Sequence, residues 1–210
     1  MPLVKLEKIN QNSSWALWKI EESVIQLAEY VRLPSEDLTE LHSISHPRKK
    51  LEWFASRAAL RSLLDAEHHP EFRLRKDDKG KPYLPEHCFH ISLANSFPYG
   101  AAIIHRHHQV GIDIEPPSPK LLRVKHKFLN SVESEEVLED LDKLCIYWAA
   151  KESLYKLYGG KQLSLKQNIQ VDFPTNNQIS ASISLEDKFT RFRLDTFRWN
   201  KFYIVFSRID

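Results

Sequence analysis

The sequence predicts an α+β fold, and three observations carry the prediction. Several short stretches alternate apolar and polar residues with the period of two of a half-buried strand. Two longer stretches, residues 46–64 and 141–158, repeat apolar residues at helical spacing, and the chain closes with four strand-like segments joined by polar turns. Each half therefore mixes helices with strands, in the order expected of two similar α+β lobes. A boundary near residues 105–109 gives a lobe of residues 1–107 and a lobe of residues 108–210. No internal repeat is visible in the sequence itself.

The elements follow in order. Trp15 to Ile20 reads as a strand, Glu21 to Val31 as a helix and Pro47 to Leu64 as a second helix. Phe72 to Arg75, Phe89 to Leu93 and Tyr99 to Ile104 read as strands, and His68-His69-Pro70 as the boundary between helix and loop. His105, His107 and His108 interrupt the apolar runs before and after them, as a solvated hairpin turn does. The second half opens on a strand from Val110 to Glu115, which Pro116 and Pro117 end. Helical segments follow around Ser131 to Leu138 and Leu141 to Tyr158. The closing strands are Asn168 to Phe173, Ile179 to Leu185, Thr190 to Phe197 and Phe202 to Arg208, with Asn176-Asn177 as one of the turns.

The most informative residues sit at the start of the second half. In Gly111-Ile112-Asp113-Ile114-Glu115 the alternation puts Asp113 and Glu115 on one face of a strand and the two isoleucines on the other. Carboxylates at that spacing repel, and keeping both ionised calls for a cation between or beside them. Some thirty-five residues on, Leu141, Leu144, Cys145, Trp148 and Tyr155 form a helical stripe, and Glu152 falls on it. Lys156 shares that face. Glu152 with Lys156 alone would be an ordinary i,i+4 ion pair, worth only tenths of a kcal/mol; a third carboxylate beside Asp113 and Glu115 is the functional alternative.

Taken together, the two motifs resemble those of the 4'-phosphopantetheinyl transferases, which move phosphopantetheine from coenzyme A to a serine of a carrier protein. The family pattern, G-[IV]-D-[IV]-E followed by W-x-x-K-E-[AS]-x-x-K, is matched at every specified position by Gly111 to Glu115 and Trp148 to Lys156. Their separation fits the larger single-chain class, the type that activates surfactin synthetase. Lys127 to Glu133 resembles the family's R-F-F-[ST]-x-x-E segment, Gly80-Lys81-Pro82 its G-K-P, and Arg57 its basic coenzyme contact. One departure stands out. The family loop N-[IL]-S-H-S aligns with Ser92-Leu93-Ala94-Asn95-Ser96, so the histidine that helps hold the 3'-phosphate of coenzyme A is replaced by Asn95, a neutral and weaker donor. His90, nearby, reads either as a wall or surface residue of the Phe89 to Leu93 strand or as a substitute for that histidine.

The resemblance implies two pseudo-symmetric lobes with the active site in the cleft between them. Basic residues of the first lobe would bind coenzyme A and acidic residues of the second would bind the metal. Magnesium is the expected cation because the ligands Asp113, Glu115 and Glu152 are all oxygen donors and the pyrophosphate supplies more. Glu152 or Glu133 would take the serine proton, and Lys156 would stabilise charge on the leaving 3',5'-adenosine bisphosphate. Arg48, Arg57, Lys81, Asn95, Lys151 and Lys156 would contact the coenzyme, with Trp148 a core anchor. Two alternatives stay open: another metal-dependent phosphoryl-transfer enzyme such as a nuclease, and a degenerate relative that binds coenzyme A or carrier protein without turnover.

Bulk properties agree with these readings. With 210 residues, 42% of them hydrophobic, the chain can bury one sizeable core or two small ones. A net charge of +2, with signs alternating along the chain, gives no reason to expect a nucleic-acid partner. Arg48-Lys49-Lys50, with Arg57 and Arg61 beyond, would form either a phosphate-binding helix face or a merely solvated one. No apolar run reaches membrane-spanning length, and Met1 to Lys5 does not begin a signal peptide. Cys88 and Cys145 alone argue against a disulfide framework or a zinc site, and the ten histidines show no ligand pattern. A cytoplasmic monomer without a membrane partner is expected.

Overall fold

The computed structural model describes residues 2–32, 38–69, 73–85, 89–159, 163–172 and 178–208, and the chain divides into two compact units, Met1–Gln109 and Val110–Asp210. The fold is α+β, with three antiparallel sheets. Pro70, Phe72, Cys88, Phe173 and the Asn176-Asn177 turn lie outside the described residues. Among the described residues no helix is long and apolar enough to cross a membrane.

In the first unit, β1 (Leu3–Asn10), β2 (Ser13–Lys19), β5 (His90–Ser96) and β6 (Tyr99–His105) form a sheet in the order β1-β2-β6-β5. β1 was not expected from its pattern. Its charged residues leave it half exposed, and pairing with β2 rather than an apolar face of its own holds it at the sheet edge. α1 (Val24–Val31) starts three residues later than the apolar pattern suggests. Ser23 caps it: the Ser23 hydroxyl accepts from Gln26 N while the Gln26 side chain accepts from Ser23 N, a closed capping box. α2 (Leu38–Ser43) was likewise unforeseen, and β3 (Arg75–Lys76) with β4 (Pro82–Tyr83) makes only a two-stranded hairpin.

α3 (Pro47–Ala66) lies across this sheet and supplies much of the core, with Phe54, Ala58, Leu60 and Leu63 buried against Ala102 and Ile91. The approach depends on Gly100: a Cβ there would stand 2.3 Å from the backbone of Ala55 and Ser56. Two sequence expectations need correction here. His105 is no solvated turn residue but closes β6 with 2% exposure, its Nδ1 accepting from the amides of His107 and His108. Residues 92–96 are not a loop; they continue β5, because each pairs in register with β6, Asn95 opposite Gly100.

In the second unit, β7 (Ile112–Glu115), β8 (Ile169–Asp172), β9 (Gln178–Leu185), β10 (Lys188–Trp199) and β11 (Phe202–Arg208) are ordered β7-β11-β10-β9-β8. Pro116 and Pro117 stop β7. The sequence between them and the next expected helix is also helical: α4 (Pro119–Val124), capped by Ser118 and continued by a 3-10 turn over Lys125–Lys127, precedes α5 (Ser131–Val137). α6 (Leu141–Tyr158) starts at an Asp140 cap and ends where Gly159 turns left-handed at φ 68. Its Leu144, Tyr147 and Leu154 are buried in a core that includes Val171, Ala181, Leu194 and Val205 of the sheet.

Candidate active site

β7 is an edge strand whose only strand partner among the described residues is β11, with Asp113 opposite Val205 and Glu115 opposite Tyr203. α6 packs against it, and the contact is set by Gly111. A Cβ at that position would lie 1.8 Å from the Ser153 carbonyl oxygen, so only glycine lets the helix backbone come this near the start of the strand. The close approach places the 148–152–156 ridge of α6 beside the acidic strand.

Three polar contacts define the result. Lys156 Nζ donates to Asp113 Oδ1 at 2.7 Å and to the Ile112 carbonyl at 3.1 Å. The ion pair that the sequence suggested between Lys156 and Glu152 is thus made with Asp113, across elements rather than along the helix. Trp148 Nε1 donates to Glu115 Oε1 at 3.3 Å, so this indole is more than a core anchor: it is partly buried and holds a site carboxylate. Asp113 is 6% exposed, and its Oδ2 is buried without a hydrogen-bond partner among the described residues.

The electrostatics follow from that packing. Burial, followed by the charge of Asp113, pushes the Glu115 carboxyl up to about 7 against only partial relief from Trp148 and Lys156. Burial and then Asp113 also raise Glu152, with Lys156 opposing. Two carboxyls held reluctant to ionise beside an orphaned carboxylate oxygen make a site short of positive charge. Among the described residues no three histidine, cysteine or acidic side chains are already gathered as a donor set for a metal ion.

Glu133 and Lys151 sit elsewhere in the unit. Lys151 is 0% exposed and Glu133 2%, and they pair at 2.8 Å. Lys151 Nζ also donates to the carbonyls of Leu165 and Ile169, and Glu133 accepts from the amides of Asn130 and Val171. Both side chains are thereby spent inside the core. One sequence signal pointed to this: Lys151 lies on the buried Leu144, Tyr147, Leu154 stripe of α6.

Several of the expected coenzyme contacts of the first unit are engaged within it. Arg57 is 5% exposed, stacked 3.4 Å over the Trp53 ring, with bonds to Trp53 O and Glu40. Arg48 and Lys49 both pair with the buried Glu52, and Arg61 donates to Val31 O. Much of the basic cluster thus has partners within the unit. Lys81 borders an open pocket of about 300 Å³ with His90 and Gln109, donating to Gln109 Oε1 at 2.5 Å; burial lowers its amine to about 8. Burial and the neighbouring Lys81 lower His90 as well. Asn95 is exposed on β5.

Residues 109–206, which contain both acidic motifs, match the model of the 4'-phosphopantetheinyl transferase superfamily. The match covers a little under half of the chain and, but for Gln109, lies in the second unit. No curated protein matches the chain.

Proposed function

We propose that the protein is a magnesium-dependent 4'-phosphopantetheinyl transferase of the larger single-chain type. It moves the 4'-phosphopantetheine of coenzyme A to a serine of an apo acyl or peptidyl carrier protein and releases 3',5'-adenosine bisphosphate. The observation that supports this best is the buried, unpartnered Asp113 Oδ2 beside Glu115 and Glu152, inside the stretch that matches the superfamily. A buried carboxylate oxygen without a donor is costly, and an ion held among oxygen donors removes that cost.

Asp113, Glu115 and Glu152 carry oxygen donors of the kind a hard divalent cation takes, and would hold it once drawn together around it. Bound there, the cation screens the pyrophosphate charge that would otherwise repel the acidic strand. Glu152, its carboxyl raised by burial, takes the proton of the carrier serine directly or through water. The serine oxygen bonds to the β-phosphorus of coenzyme A, and the bond from that phosphorus to the bridging oxygen breaks. Its electron pair leaves with the adenosine bisphosphate. Lys156, one turn from Glu152 and fixed by its bond to the Ile112 carbonyl, offers positive charge to that leaving phosphate. Glu133 and Lys151, with their polar atoms already engaged, serve the fold, which leaves Glu152 as the base. Arg48, Lys81 and Asn95 are proposed contacts to the coenzyme, while Arg57 acts by holding Trp53 and Glu40.

The test is mass spectrometry of apo carrier proteins of fatty-acid, polyketide and peptide-synthetase type after incubation with the protein, coenzyme A and magnesium. A phosphopantetheine mass on the carrier serine, lost on chelation, is expected. Unmodified carriers under conditions where coenzyme A binds would replace this reading with the non-catalytic one, and transfer without a cation would overturn the metal ligands.

A further inference from the structure

Glu115 is the last residue of β7, directly before two prolines. Its side chain receives one hydrogen bond among the described residues, from the Trp148 indole. That donor has three properties. It is neutral at every accessible pH, so unlike a lysine it holds an oxygen without bringing a charge that competes with a cation. It is a single N–H, so it engages Oε1 and leaves Oε2 to a ligand. It is itself held, because the Trp148 ring packs edge-on against Phe128 at 4.9 Å, and Phe128 is 0% exposed. The helical spacing adds a fourth point: Trp148 and Glu152 are four residues apart on one ridge of α6, so the element that carries one carboxylate also orients another.

We infer that Trp148 is a positioning residue that sets the affinity of the site for a divalent cation by fixing the Glu115 carboxylate, an inference that rests on the metal reading above. Partners that orient metal ligands in this way commonly change affinity by about tenfold or more when removed.

The experiment measures Mn²⁺ binding to the intact protein, without coenzyme, by the loss of the free-ion electron paramagnetic resonance signal. Wild type, Asp113→Asn, Glu115→Ala, Trp148→Phe and the Trp148→Phe/Glu115→Ala double variant are compared. Phenylalanine keeps the ring against Phe128 and deletes only the donor. Trp148→Phe is expected to weaken Mn²⁺ binding about tenfold, and to have no effect once Glu115 is alanine, because the indole then has nothing to hold. An equal loss in both backgrounds would make Trp148 a packing residue and overturn the inference, as would unchanged binding by Trp148→Phe while Asp113→Asn binds poorly. If wild type and Asp113→Asn bind Mn²⁺ alike, the metal reading itself fails and the inference falls with it.

Discussion

Replacing Gly111 by alanine is expected to disable the site without altering any ionisable group. The new Cβ would meet Ser153 O at 1.8 Å, Ser153 C at 2.8 Å and Leu157 N at 3.0 Å, all backbone atoms that no rotamer change can move aside. Ordinary contact begins at 3.4 Å, so the strand and helix would have to part by about 1.6 Å along the closest vector. The strand is not free to yield. Gly111 N donates to Ser207 Oγ at 3.0 Å, and Gly111 O accepts from Ser207 N at 2.9 Å, which tie it to β11. The displacement therefore falls on the 153–157 turn of α6, which carries Lys156. Its 2.7 Å bond to Asp113 Oδ1 would open beyond hydrogen-bond reach. Overpacking of this kind typically costs about 1–3 kcal/mol, and 1 kcal/mol moves the midpoint of a protein of this length by roughly 2–4 °C. A misplacement of about 1 Å can cost on the order of 10²-fold in rate. Thermal unfolding followed by circular dichroism and single-turnover transfer to an apo carrier protein read the two effects. A Gly111→Ala protein that melts within about 1 °C of wild type and transfers at its rate would refute the claim that this close approach builds the site.

Glu133→Gln leaves the Lys151 ammonium buried without its counter-charge and should cost about 3–5 kcal/mol in denaturant unfolding; a loss below about 1 kcal/mol would show that the pair is dispensable. Lys81→Met should stabilise the protein at pH 7. The folded amine titrates near 8 against 10.5 unfolded, so below pH 8 both states are protonated and the folded one bears the full desolvation cost, which disappears as pH rises from about 8 toward 10.5. The melting-point advantage of the methionine variant should shrink across that range, and a difference independent of pH would contradict the assignment. Asn95→His should lower the KM for coenzyme A more than that for its 3'-dephospho form, increasingly as pH falls through about 6.5. Equal changes for both substrates would remove Asn95 from the phosphate contact.

Local periodicity made some of this structure legible. The alternation of Asp113 and Glu115 and the stripe through Trp148, Glu152 and Tyr155 depend on residues within one element, and both elements formed as their patterns indicate. Partners distant in sequence were not legible. The sequence offered Glu152, four residues away, as one partner for Lys156, but Asp113 on another element accepts its hydrogen bond because Gly111 lets strand and helix close up. The resemblance implied site roles for Lys151 and Glu133, but not their core contacts; 38 and 18 residues separate Glu133 and Lys151 from their respective backbone partners Val171 and Ile169, and no window along the sequence reveals that. Strand β1 and helix α4 escaped notice because mixed polar edges carry little periodic signal, and His105 because a ring nitrogen that satisfies two turn amides looks, in sequence, like any other polar turn residue.

The neighbours Lys151 and Glu152 point in different directions from one turn of α6, the first into a closed polar knot and the second toward the acidic strand. Turning the helix by even one residue, about 100°, would pull the lysine from two carbonyls and a carboxylate at once. The helix is therefore a fixed datum and not a moving part. Whatever adjustment the site makes to an arriving ion or phosphate must come from side-chain torsions and from the free end of β7, where Glu115 meets the prolines, while Glu152 stays where the knot behind it holds it.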